Sequence, residues 1–236
     1  MAKKEFPEKQ APKGKEKPAQ NDLGGISGDF SSKISGLSSK IFGIIKFILA
    51  IILLPLVYSS VASFINEFIQ INKGLQQIFC NGIISFLAIY LFIWEPTVIY
   101  NKGHKLLEIM FSFFKPMVNV APFLLPIYTI LFFILYGLLA LGVKAGWLIE
   151  YTLFLIGFSS ILHLVFSAKT IHSKKGDFLK ANYIFGFSFI FILNVALLAL
   201  GFSFIFKEFS FINFCNISFT IFRNIFLAVF KQLFVF

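Results

Sequence analysis

The chain has 236 residues, 58% of them hydrophobic and only 14% charged, with a formal net charge of +10. A soluble domain of ordinary composition carries about 25% charged residues. An apolar exterior is therefore implied as well as an apolar interior, with lipid as the solvent. The positive charge does not indicate nucleic-acid binding, because it sits on segments that flank apolar runs, where topology and anionic headgroups account for it.

Residues 1–25 read as a disordered basic tail. Pro7, Pro12 and Pro18 interrupt it, and lysines alternate with Glu5, Glu8 and Glu16. Its apolar surface is too small to offset the entropy of ordering. With no apolar stretch in its first 30 residues it does not read as a cleavable signal, so the first span is expected to act as its own insertion signal. Residues 26–40 change character. Ile26, Phe30, Ile34, Leu37 and Ile41 recur at helical spacing, with serines and lysines on the other faces. This is the pattern of an amphipathic segment lying in the headgroup plane.

Five apolar runs follow, near 41–65, 78–94, 118–142, 147–167 and 183–206. Crossing hydrocarbon takes about 17 to 25 residues, so each is long enough, or nearly so. Pro55 predicts a kink in the first, and Pro122 and Pro126 predict one in the third. Lys46 lies one turn inside the first run, where its stem reaches back to the headgroups. The second run ends at Trp94, Glu95 and Pro96, an interfacial aromatic beside a helix stop. In the following loop, Leu106, Leu107, Met110, Phe113 and Phe114 share one side of a helical projection. Lys102, Lys105, Glu108 and Lys115 mark the other side, so an interfacial helix over 103–115, stopped by Pro116, is expected.

Residues 211–233 carry a polar stripe along an apolar segment: Asn213, Asn216, Thr220, Arg223, Asn224 and Lys231. A spanning helix would place Arg223 near the bilayer centre, at a cost of about 2.5 to 3.5 kcal/mol. A helix lying flat would avoid that cost but would show too much Phe and Ile for an ordinary surface helix. A sixth span with the stripe turned toward its neighbours also fits. The expected fold is thus all-α: a polytopic transmembrane helix bundle of five spans, plus a sixth spanning or interfacial C-terminal helix.

Lysines orient the bundle. Putting the N-terminus in the cytoplasm places 15 cationic side chains (in 1–40, 94–117 and 168–181) inside and 3 in the opposite loops. The positive-inside rule favours that orientation. If the chain is bacterial, the cell inner membrane is its expected place.

Little is left for chemistry. His104 and His172 fall in loops and His163 near the end of the fourth run, without the spacing of a helical metal pair. Glu150 reads as a headgroup-level charge paired with Lys144. Cys80 and Cys215 lie far apart, without metal or redox spacing. Asn216-Ile217-Ser218 has the form of a glycosylation acceptor, but its apolar setting marks a chance match. Phe occurs 35 times and Lys far exceeds Arg. A/T-rich coding is the simpler cause, and a Phe-lined conduit is the alternative. Neutral polar residues fall mid-run: Tyr128, Thr129, Ser159, Ser160 and Asn194. They read as hydrogen-bonding glue between helices, or else as a midplane site for a small polar ligand.

These features point to a non-catalytic structural or accessory subunit of a membrane complex, with no cofactor. The alternative is a small transporter or channel with a midplane polar site. A lipid-modifying enzyme would need clustered acids or histidines at one face. Expected partners are the bilayer, anionic headgroups at the cytoplasmic face, and membrane proteins or further copies of the chain.

Overall fold

A computed structural model describes residues 23–118, 120–142, 146–173 and 183–234. Among the described residues there is no strand, and the helices are α1 (Leu23–Phe68), α2 (Lys73–Phe92), α3 (Thr97–Met110), α4 (Lys115–Val118), α5 (Ala121–Leu124), α6 (Ile127–Leu139), α7 (Gly146–Ser173), α8 (Tyr183–Ile205) and α9 (Phe211–Phe234). Two compact units are present, Met1–Phe42 and Gly43–Phe236. The first holds the expected tail, of which 1–22 lie outside the described residues. The segment 26–40 is helical in its backbone, and its side chains lie outside the described ones. The second unit is the helix bundle.

Among the described residues, five helices are long and apolar enough to cross a membrane: Phe47–Phe68, Lys73–Phe92, Gly146–Ile171, Tyr183–Ile205 and Phe211–Gln232. The chain is therefore a helical bundle of multi-pass membrane type. The second helix begins five residues before its apolar run because Asn72 caps it, its side chain accepting the Gly74 N–H at 2.8 Å.

The run 118–142 departs from expectation, because it is not one helix. It holds two separate helices, α5 and α6, after α4 ends at Val118, and α6 has only 13 residues. At about 1.5 Å per residue that is about 20 Å, short of a hydrocarbon core of about 30 Å. Proline chemistry accounts for the break. Pro126 has no N–H to donate and disfavours helical backbone at the residue before it. Leu125 accordingly turns extended, with φ −100 and ψ 121.

The expected surface helix over 103–115 also shifts. The observed helix, α3, runs from Thr97 to Met110 and turns Tyr100, Gly103 and Leu107 into the bundle. Leu106, Met110, Phe113 and Phe114 stay exposed. It starts after Pro96 because that proline halts α2, and it stops before Pro116 is reached. Glycine 103 lets α3 lie against α6, since a Cβ there would meet Tyr128 and Ile127 side-chain atoms within 2.9 Å.

Two contacts sort the connections into two ends. Lys169 donates to Glu95 across the gap between α7 and the α2–α3 link. At the other end Glu67, buried, accepts the Ser210 N–H at 2.9 Å, joining the α1 terminus to the α8–α9 link. Chain segments that should share a face of the membrane by lysine counting, 94–117 and 168–181, thus meet through their first residues.

The tightest pairing is α2 against α7. A Cβ on Gly82 would lie 2.1 Å from the Phe154 carbonyl oxygen, and one on Gly157 would lie 2.3 Å from that of Phe79. Helices in lipid associate through such close packing, because burying apolar surface gains little there. Around this seam the rings of Phe64, Phe68, Phe79, Phe202 and Phe209 interlock, with centroids 5.3 to 5.8 Å apart. Within this cluster the phenylalanines fill space and do not line a conduit. Many others, including Phe47, Phe92 and Phe204, face outward.

Candidate functional site: a broken traverse and an outward polar stripe

The break before α6 frees backbone carbonyls, and inside a membrane each must find a donor. The Phe123 oxygen receives His163 Nε2 at 3.1 Å and Ser167 Oγ at 3.4 Å, both from α7. A carbonyl oxygen only accepts, so Nε2 carries the ring proton. His163 and Ser167 lie four residues apart, on one face of α7, with Nε2 and Oγ 3.3 Å apart. Tyr100 closes the cluster from α3, its hydroxyl 3.4 Å from Ser167 Oγ. Burial pushes the Tyr100 phenol above its usual range, opposed by its hydrogen bonds to Ser167 and Thr170. It stays protonated and can donate to Ser167. His104 stacks edge-on to Phe123 at 4.9 Å and reaches Glu108 at 3.6 Å. The Leu124 oxygen receives Asn194 Nδ2 from α8 at 3.4 Å.

Of the five residues expected as a midplane layer, Thr129, Ser159 and Ser160 meet one another. Thr129 Oγ1 lies 2.9 Å from Ser159 Oγ and 3.2 Å from Ser160 Oγ. Both serines also donate to the Ile156 carbonyl, at 3.2 and 2.6 Å, which leaves the single Thr129 proton to bridge the helices by donating to one of them. Asn194 is 1% exposed and donates to Ile190 O at 2.8 Å, while its Oδ1 meets no donor among the described residues. Tyr128 departs from the layer. Its hydroxyl donates to Ile99 O at 2.7 Å, tying the start of α6 to α3.

Space beside these groups is scarce. A cavity of about 10 Å³ is bounded by Tyr100, His104, Tyr128, Ser159 and His163, which is room for about one water molecule. A larger groove of about 570 Å³ opens outward between α6 and α8, past Phe133, Gly137, Leu200, Gly201 and Phe204, with Thr129 at its polar end. Among the described residues, no three of His, Cys, Asp and Glu lie close enough to share a metal ion. Glu150 is exposed, and Lys144 lies outside the described residues, as does the side chain of His172.

The C-terminal stripe has the opposite disposition. Asn213, Asn216, Thr220, Arg223, Asn224 and Lys231 are all exposed. The expectation that a spanning α9 turns this stripe toward its neighbours is corrected. The helix packs through Phe214 and Ser218, with Ser218 Oγ 3.2 Å from Ser59 Oγ of α1. Positions 214 and 218 form one face, and the stripe occupies the other side. The serine pair also sets depth. Ser59 lies near the middle of the span Phe47–Phe68, and Arg223, five residues beyond Ser218, is itself near the middle of the span Phe211–Gln232. Arg223 is therefore held near mid-depth of the bundle. In lipid that position costs about 2.5 to 3.5 kcal/mol.

Several residues of consequence escaped the sequence reading. Ser59, Ser63 and Glu67 form a buried face of α1 at four-residue spacing, with Ser60 beside it. That spacing inside an apolar run was the available signal. Gly82 gave none, because an isolated glycine in a helix can mean either weakness or close approach.

The chain matches no protein-family model, no curated protein and no solved structure.

Proposed function

We propose that this protein is a non-catalytic structural or accessory subunit of a membrane complex, with its lysine-rich end in the cytoplasm. The outward polar face of α9 carries this reading. Its side chains have the hydrogen-bonding capacity of an interhelical seam and stand exposed, away from the other helices among the described residues. The inward polar groups support it too, being largely spent on one another and on the carbonyls freed before α6. Exposed apolar side chains such as Phe92, Ile93, Leu138 and Phe204 suit lipid.

A test is extraction of the tagged chain from native membranes in mild detergent, followed by mass determination. A particle holding a second protein in fixed ratio is expected, and it is lost when Arg223 and Asn224 are both replaced by Leu. A monodisperse 26.8 kDa monomer from native membranes sinks the reading.

One observation favours a second reading, a small transporter or channel. The third traverse is broken beside the buried and unsatisfied Asn194 Oδ1, and broken helices are a recurrent feature of carriers. Liposomes holding the purified chain alone separate the two readings, because a carrier moves solute there and a subunit does not.

A further inference from the structure

We infer that the outward face of α9 seats a transmembrane helix of a different protein, one that carries an Asp or Glu at mid-depth opposite Arg223. This rests on the proposed role as a complex subunit and names the partner's chemistry.

Three observations lead there. First, Asn213, Asn216, Thr220, Arg223, Asn224 and Lys231 run along one exposed side of α9 at steps of three, four, three, one and seven residues, from one end of the helix to the other. A seam that long fits a second helix lying alongside and not a single small ligand. Second, the Ser59–Ser218 contact fixes the depth of Arg223 within the bundle, so its charge cannot be relieved by sliding the helix toward a surface. Third, among the described residues no acidic side chain pairs with it. Within the candidate spans acidic residues occur only at Glu67 and Glu150, both near span ends, and Glu67 is engaged by Ser210. A second copy has the same inventory and would set arginine against arginine or asparagine. A carboxylate at mid-depth must therefore come from another chain. Such a carboxylate matches the guanidinium in geometry as well as charge, since the planar fork offers two parallel N–H donors. The asparagines and Thr220 on either side supply neutral hydrogen bonds along the same line.

The test uses the full-length protein in phosphatidylcholine liposomes. The probe is a synthetic Leu/Ala transmembrane peptide with one central Asp, alongside Asn and Leu versions, and association is read by energy transfer. The Asp peptide should bind about tenfold tighter than the Leu peptide. That gain should vanish with Arg223→Leu and survive in Arg223→Lys. Equal binding of the Asp and Leu peptides, or a gain that persists in Arg223→Leu, overturns the inference.

A photo-cross-linking residue at position 220, used in native membranes, separates this inference from the role beneath it. Capture of a span with an Asp or Glu at mid-depth supports both. Capture of a protein span lacking one overturns the carboxylate but leaves the subunit role, and so does capture of a second copy. Cross-links to lipid alone overturn both.

Discussion

Replacing either Gly82 or Gly157 with alanine is expected to destabilise the bundle by about 3 kcal/mol, the upper part of the usual overpacking range. Two effects compete. Alanine favours a helix over glycine by about 1 kcal/mol, which would stabilise α2 or α7 alone. Against this, the new methyl would stand 2.1 Å from the Phe154 oxygen in one case and 2.3 Å from the Phe79 oxygen in the other. Both obstacles are main chain, so no rotamer change relieves them. The helices must separate, and the Phe79–Phe202 ring contact at 5.4 Å goes with them. Unfolding in mixed detergent micelles measures the loss. Gly137→Ala is the control, since its Cβ meets nothing within 4 Å. It should be neutral or stabilising by up to about 1 kcal/mol. The two seam variants should combine to less than the sum of their effects, because either one already opens the same interface.

His163→Leu is expected to cost about 2 kcal/mol, within the usual range for orphaning a buried hydrogen-bonding group. Leucine nearly matches the volume, so the loss is chiefly the donor to Phe123 O, not a cavity. Of its two contacts with α7 the carbonyl would keep the longer, from Ser167 at 3.4 Å, and the break before α6 would lose its shorter tie to that helix. His163→Gln, whose amide nitrogen reaches much the same place as Nε2, should recover most of the stability. If Leu and Gln are equally destabilising, the histidine acts through its shape and not through this bond. Unfolding in the same micelles reads both.

Much of the bundle was legible because lipid imposes a simple demand, a run of apolar residues long enough to cross. The fifth run, 183–206, lies within one residue of α8, and the polar-striped segment 211–233 matches α9 almost end to end. The third run was legible only in composition. Hydropathy sums over 118–142 without a dip, while Pro122 and Pro126 act through backbone sterics that no hydropathy window records. A kink and a full break share that sequence signal. What decided between them was whether other helices could satisfy the freed carbonyls, and His163, Ser167 and Asn194 lie 40 or more residues away along the chain. The meeting of Thr129 with Ser159 and Ser160 was legible from depth, since helices crossing the same slab bring their middles together, whereas Asn194 turns instead to the Leu124 and Ile190 carbonyls. Tyr128 was misplaced because its long side chain carries the hydroxyl away from its neighbour Thr129 and back to Ile99. The stripe on α9 was legible as a stripe, but its direction was not. Periodicity shows that two faces differ, and only Ser218 meeting Ser59 shows which of them is inside.

The partner face, the depth of Arg223 and the two-ended layout all require α9 to cross the membrane antiparallel to α8. Single-cysteine accessibility in sealed native vesicles tests this most directly, after Cys80 and Cys215, both exposed and free, are changed to serine. Lys231→Cys and Lys102→Cys should react with an impermeant maleimide from one side only. Lys73→Cys and Lys207→Cys should react only from the other. If Lys231→Cys labels from the same side as Lys207→Cys, α9 does not cross, and the account of its polar face is wrong.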